Sequence, residues 1–121
     1  MIFETHAHYD DKMFDEDRES LLESMQEAGI GRIVNIGADL ASTASSIALA
    51  EKYPFIYAAA GVHPSDAAQL NEHTFQWLSE QTAHEKVVAV GEIGLDYYWE
   101  KDPEVRANQR YWFRRQLYLA R

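Results

Sequence analysis

The sequence predicts an α/β fold in which four consecutive strand–helix units build a parallel sheet. Short β-branched, apolar runs alternate along the chain with longer segments whose apolar residues recur at helical spacing. The short runs also lack the polar alternate positions of a one-sided sheet, which is typical of parallel strands covered on both faces. Because parallel neighbours need a crossover connection, the alternation of strand and helix indicates a parallel sheet.

The first two units lie in the N-terminal half of the chain. Ile2–Thr5 is a short apolar strand that opens onto a polar loop. Asp15–Ala28 is predicted as a helix, since its first turn is acidic and Gly29 stands where a C-terminal cap belongs. Arg32–Ile36 is a β-branched strand, and Leu40–Tyr53 has the apolar spacing of a second helix.

The third and fourth units follow the same order. Phe55–Ala60 is a third strand and Asn71–Gln81 a third helix, and Val87–Val90 is a fourth strand. The last helix begins at Asp102–Pro103, a capping residue followed by proline at the first helical position, and runs to the C-terminus. We predict that residues 1–121 form a single, partial barrel domain.

Composition and charge exclude several classes of protein. Hydrophobic residues make up 46% of the 121 residues, and the absence of cysteine excludes disulfides and thiolate metal sites. No signal peptide or membrane span is recognisable, so we expect a cytoplasmic location without membrane contact. The net charge of −9 is uneven, because residues 101–121 hold six basic and two acidic side chains. A solvated helix face is the preferred interpretation of this basic end, and a nucleic-acid contact is the alternative.

The strongest chemical signal is a pair of histidines directly after the first strand. His6 and His8 are two residues apart, so on an extended strand their imidazoles point to the same face and can bind one divalent metal ion. Glu4 has the same parity one layer deeper, and Asp10 follows the pair; either carboxylate is a candidate to hold a ligating histidine in place. The alternatives are that the histidines are simply polar strand-end residues and that Asp10 caps a loop.

A second signal follows the fourth strand. Glu92 stands between two glycines after a buried strand, where a carboxylate is costly to bury unless it is paired or binds a metal. Asp96 either orients a ligand or forms an ordinary turn. His63 precedes a proline, which restricts it to extended backbone, and is either a structural histidine or a substrate contact.

Two aromatic runs, Tyr97–Trp99 and Tyr111–Phe113, have two interpretations. Aromatic side chains at helical spacing are most often part of a hydrophobic core, and this is the preferred interpretation. Stacking on nucleic-acid bases is the alternative.

Four motifs occur together along the whole length of the chain. They are ETHAHYD at residues 4–10, VNIGAD at 34–39, GVHP at 61–64 and GEIGLDYY at 91–98. In this order and spacing the chain resembles the TatD family of metal-dependent deoxyribonucleases, which belongs to the metallo-dependent hydrolases. The resemblance implies a TIM barrel that hydrolyses phosphodiester bonds in DNA, often from a 3′ end.

The resemblance also implies roles for individual residues. His6 and His8 match two metal ligands, Glu92 matches a catalytic glutamate that ligates one metal ion or bridges two, and His63 matches a residue that faces the substrate phosphate. The implied ion is Mg or Mn, with Zn as a further candidate. A complete site holds two ions, and this chain is expected to hold one or none.

The chain departs from the family pattern in length. Family members are about twice as long, and their later strands supply two more histidines and a catalytic aspartate. We therefore expect the N-terminal half of a (β/α)₈ barrel, impaired as a nuclease by itself. One hypothesis is that the open half sheet holds Glu92 too far from His6, and exposes Val88, Val90 and Ile33 so that chains self-associate.

Two alternatives stay open at this point. A metallo-dependent hydrolase with the same paired histidines can act on amides, esters or lactones instead of DNA. The chain can also be a non-catalytic half barrel that serves as a binding or assembly module.

Overall fold

The computed structural model describes all 121 residues as four parallel strands that alternate with four α-helices. The strands stand in the order β1-β2-β3-β4, so each pairs with its neighbour in sequence. This is the predicted run of four βα units, the N-terminal half of a TIM barrel. The elements are β1 (Ile2–Ala7), α1 (Arg18–Ser24), β2 (Ile30–Ile36), α2 (Leu40–Lys52), β3 (Ile56–Ala60), α3 (Glu72–Gln81), β4 (Val87–Val90) and α4 (Pro103–Ala120).

The first unit differs from its predicted boundaries. The helix predicted over Asp15–Ala28 is shorter at both ends: α1 begins at Arg18, whose guanidinium bonds back to the loop after β1, and it ends at Ser24, after which the chain forms turns. Strand β1 extends to Ala7, which pairs with Asn35 of β2. His6 therefore lies on the strand itself and not in the loop that follows.

The outer face of the sheet packs against α1 and α2 and forms the main hydrophobic core. Leu22 of α1, Ile33 of β2 and Ile56 of β3 are completely buried there. The prediction that Ile33 would be exposed is therefore wrong, because its side chain points to the helices. Its neighbours Val34 and Ile36 point to the opposite, inner face.

The inner face of the sheet is sparsely covered. Val34, Ile36 and Ala59 form a small buried cluster in its middle. At the edge strands, Phe3 of β1 is 57% exposed and Val88 of β4 is 55% exposed, as predicted for Val88. Val90, by contrast, is only partly exposed. No helix in the structure has the length and apolar character needed to cross a membrane.

Candidate metal centre

The paired histidines meet at the carboxyl end of β1. Their rings lie 5.0 Å apart between centroids and stand nearly perpendicular, at 78°. Both side chains are about half exposed, so their nitrogens are accessible from solvent. Because strand residues two apart share a face, this convergence follows directly from the sequence spacing.

Glu92 approaches the same point from the end of β4. Its Oε2 lies 3.6 Å from Nε2 of His6 and 3.9 Å from Nε2 of His8. The three residues offer ligand atoms that all lie within 4.8 Å of one another. Two ligands on one tetrahedral ion lie roughly 3.3 Å apart, so the two contacts of Glu92 would shorten by a few tenths of an ångström on a metal, and the most distant pair of ligand atoms by up to about 1.5 Å. Two imidazole nitrogens and one carboxylate oxygen suit a divalent cation.

The end of β2 explains how Glu92 reaches the histidines across two intervening strands. The backbone N–H of Glu92 donates to the carbonyl of Gly37 at 2.6 Å, and Nδ1 of His8 lies 3.1 Å from the carbonyl of Ile36. Two consecutive carbonyls of one strand end therefore anchor residues from β1 and from β4. The hypothesis that the open sheet holds Glu92 away from the histidines is wrong for this reason.

Hydrogen bonding also sets the tautomer of His8. A carbonyl oxygen can only accept, so Nδ1 of His8 must carry the proton that it donates to Ile36. In the neutral imidazole this leaves Nε2 with a free lone pair, and Nε2 is the atom that faces Glu92. The arrangement is the one in which a metal-ligating histidine donates its other N–H to the protein.

His63 has the opposite arrangement at the start of the turn Pro64–Gln69. Its Nδ1 accepts the backbone N–H of Ser65 at 3.1 Å, so the proton of the neutral ring sits on Nε2. That Nε2 lies 4.0 Å from Oε1 of Glu92. His63 thus presents a hydrogen-bond donor to the site, whereas His8 presents a lone pair.

Close backbone contact joins the loops that hold His63 and Glu92. A side chain at Gly61 would place its Cβ 2.5 Å from the carbonyl carbon of Gly91, so only glycine permits this approach. The N–H of Gly91 also donates to the carbonyl of Ala60 at 3.0 Å. The two loops therefore pack against each other at Gly61 and Gly91, immediately before the residues His63 and Glu92 that face the site.

Asp10 lies in a polar network behind the histidines and makes no bond to either imidazole. Its Oδ1 accepts from Nδ2 of Asn35 at 2.9 Å, and its Oδ2 accepts from the hydroxyl of Ser45 at 2.7 Å. The buried Asn35 also accepts the N–H of Tyr9 at 2.7 Å. Asp10 thus ties the loop after His8 to β2 and α2.

The remaining two carboxylates predicted near the site bond to the backbone. Oε1 of Glu4 accepts the N–H of His6 at 3.1 Å, which fixes the strand and leaves the ring free. Asp96 accepts the N–H groups of Tyr98 and Trp99 through Oδ1, at 3.1 and 3.2 Å. Asp96 therefore forms an ordinary turn and does not orient a ligand, which were the two interpretations of the sequence.

Two buried glutamines of α4 position the site loops and were missed in the sequence. Gln116 accepts the N–H of Val62 at 2.8 Å and donates to its carbonyl at 3.2 Å. Gln109 makes the same pair of bonds to the backbone of Asp96, at 2.9 and 3.1 Å. Their spacing of seven residues places both on one helix face, which was the available signal.

The two aromatic runs differ from the core prediction in part. Trp112 is buried and packs on Phe75, with ring centroids 5.6 Å apart, as predicted. Tyr98 and Trp99 are 74% and 79% exposed, so the core interpretation is wrong for them. They belong to the loop between β4 and α4, where no helix or strand covers them.

Known proteins resemble this chain over nearly its whole length. Residues 3–121 match the family model described as TatD related DNase. An uncharacterised metal-dependent hydrolase of Bacillus subtilis is 43% identical over 121 residues, which is all of this chain and 47% of that protein. A 3′-5′ ssDNA/RNA exonuclease TatD of Cronobacter sakazakii is 30% identical over 98% of this chain and 44% of that protein.

Solved structures give the same result. The TatD homologue YJJV of Escherichia coli K12 superposes with a TM-score of 0.84 at 36% identity, over 98% of this chain and 46% of that one. A TatD family hydrolase of Entamoeba histolytica gives a TM-score of 0.83 at 25% identity, over 98% and 45% of the two chains. The chain spans about half the length of the curated relatives it matches. It belongs to the TatD-related DNase family of metal-dependent hydrolases.

Proposed function

We propose that His6, His8 and Glu92 bind one divalent metal ion, and that the site serves hydrolysis of phosphodiester bonds in DNA. The main support is the convergence of the three ligand atoms within 4.8 Å in a chain of the TatD-related DNase family. Several relatives are named 3′-5′ ssDNA/RNA exonucleases, which supports a nucleic-acid 3′ end as the substrate.

The donor set narrows the choice of ion. Mg, Mn and Zn are all candidates for the family chemistry, but imidazole nitrogens favour Zn and the carboxylate suits Mn as well as Mg. Two imidazoles against one carboxylate therefore favour Zn or Mn over Mg. A bound divalent ion supplies a Lewis acid for the phosphoryl oxygen and lowers the pKa of water.

The chain's own residues divide the remaining work. Glu92, the proposed catalytic residue, turns Oε2 towards the paired histidines and Oε1 towards His63. It can therefore hold one ion between itself and His6 and His8, or bridge to a second. His63 directs its Nε2–H into the site, where it can donate to a phosphate oxygen and orient the substrate.

Only one set of three ligands occurs in these 121 residues. A second ion, and a general base from the later strands of a complete barrel, would have to come from outside them. We therefore propose that the chain alone binds one ion and hydrolyses DNA poorly, whereas a barrel of the relatives' length is the competent nuclease.

The test is Mn-dependent shortening of a 5′-labelled single-stranded oligonucleotide, which reports loss of nucleotides from the 3′ end. We expect a slow, metal-dependent reaction that Glu92→Gln abolishes, with His73→Ala on the exposed surface of α3 as a matched control. Hydrolysis of ester or amide substrates without DNA cleavage would contradict the nuclease proposal in favour of a different metallo-hydrolase. A chain that neither binds metal nor cleaves any of these substrates would instead be a binding or assembly module.

We further propose that chains self-associate through the exposed surfaces of the half barrel, at the open edges of the sheet. Edge strands β1 and β4 have unpaired backbone groups on one side, and Phe3 and Val88 are exposed beside them. Sedimentation should give a concentration-dependent dimer that Phe3→Ser weakens. A sharp, well-folded monomer at high concentration would refute this.

A further inference from the structure

Two large aromatic side chains stand in solvent on the loop that also holds Glu92. Tyr98 and Trp99 are 74% and 79% exposed, and their rings contact each other edge to face with centroids 4.7 Å apart. They lie in the β4–α4 loop, the same loop that contains Glu92. In a parallel sheet all such loops gather at the carboxyl edge, so the aromatic pair and the paired histidines share one edge of the molecule.

The loop is held rigidly although its aromatic side chains are uncovered. Asp96 accepts the N–H groups of both Tyr98 and Trp99. The side chain of Gln109, on α4, accepts the backbone N–H of Asp96 and donates to its carbonyl. The guanidinium of Arg106 donates to the carbonyls of Glu100 and Tyr97, at 2.7 and 2.8 Å. An exposed aromatic pair on a preformed loop can contact a ligand without the entropic cost of ordering the loop.

Three basic side chains lie beside this loop, which itself also carries the carboxylates of Asp96, Glu100 and Asp102. The ammonium of Lys101 lies 5.8 Å from the centre of the Tyr98 ring. Arg106 lies over the ring of Tyr97, and Arg110 donates to its hydroxyl at 2.9 Å. These three cations belong to the one basic segment of the chain, residues 101–121, which favours an anionic partner.

We propose that Tyr98 and Trp99 form a stacking platform for an unpaired base of a single-stranded nucleic acid. The inference rests on the proposed function, because the platform would hold the strand whose phosphate enters the metal centre. Aromatic stacking tolerates any base and needs an accessible base face, which a duplex does not offer. The platform therefore selects single strands over duplexes and contributes binding that does not depend on the metal.

Fluorescence anisotropy with a labelled octathymidylate tests this in EDTA and low salt, where the metal plays no part. We expect the Tyr98→Ala, Trp99→Ala double variant to bind about tenfold or more weakly, since stacking is worth roughly 1–3 kcal/mol per base. Tyr118→Ala is the matched control, because Tyr118 is 66% exposed at the opposite end of α4. An abasic oligonucleotide of equal charge should bind the wild type as weakly as the thymidylate binds the double variant.

Other outcomes would overturn the platform. These are equal affinity of wild type and double variant, equal affinity for abasic and thymidylate strands, preference for a duplex, or no binding by the wild type. Both side chains are exposed, so circular dichroism of the variants should match the wild type. A His6→Ala, His8→Ala variant separates the two proposals: it should retain oligonucleotide binding even where hydrolysis is lost. If the wild type does not bind the oligonucleotide in EDTA but still cleaves it with metal, the stacking platform is refuted and the proposed nuclease function stands.

Discussion

The two faces of the sheet differ in what covers them. On the outer face, Leu22, Ile33 and Ile56 are completely buried against helices. On the inner face, Val88 of the edge strand β4 is more than half exposed. The comparison separates folding from function: the outer face stabilises the half barrel, while the inner face and the carboxyl edge hold the groups available for a partner or a ligand.

The largest expected effect is on the outer face. Ile56→Ala should lower the free energy of unfolding by about 2–5 kcal/mol, because it leaves a cavity in a closely packed core. Val88→Ala on β4 is the control and should cost less than about 1 kcal/mol, since its side chain is 55% exposed and loses little burial. Urea denaturation measures both. Equal losses would mean that the two faces do not differ as described.

The next largest effect concerns the two hydrogen bonds between Gln116 of α4 and the backbone of Val62, which lies in the loop that holds His63. Gln116→Met should destabilise the chain by about 1–3 kcal/mol, because the buried N–H and carbonyl of Val62 lose their partners. Gln76→Met, on the exposed side of α3, should change stability by less than about 0.5 kcal/mol. If Gln116→Met leaves the free energy of unfolding unchanged, these two hydrogen bonds do not stabilise the fold.

The smallest effect is a pH dependence at the α3–α4 contact. Hydrogen bonds from Arg115 hold the pKa of Glu72 below its usual value. Since the folded-state pKa is the lower one, the stabilisation is fully present above the unfolded pKa of about 4.3 and is lost as the pH falls through the folded value. The stability difference between wild type and Glu72→Gln should therefore be constant near neutrality and disappear in acid. A difference that grows on acidification would contradict the assignment.

Much of the fold follows from local pattern. The order of elements and the ends of α2, α3 and β4 agree with apolar spacing and capping residues such as Asp39 and Asn71, whose side chains cap the helices. Alternation of side chains also placed His6 and His8 on one face. Local spacing could not assign Ile33 to the outer face, because both faces of a parallel strand are apolar and only packing distinguishes them.

Local spacing predicted the candidate site only where neighbours in sequence meet, and Glu92 was joined to the histidines by the resemblance to the TatD family alone. The approach of Glu92 depends on its bond to Gly37, 55 residues away, and no periodicity indicates such a pairing. Local backbone bonds likewise engage Glu4 and Asp96, although both were expected near the ligands. The exposed Trp99 was assigned to the core because composition does not tell a loop aromatic from a helix aromatic.

The central claim is that three side chains of this chain form one metal site. Isothermal titration with Mn²⁺ and Zn²⁺ tests it most directly, with the wild type expected to bind one ion per chain. The His6→Ala, His8→Ala variant should lose binding, and Glu92→Gln should weaken it at least about tenfold. His63→Ala should leave the affinity unchanged, since its Nδ1 is engaged with Ser65 and its Nε2 carries a proton. Equal affinity of the wild type and the double histidine variant would contradict the account.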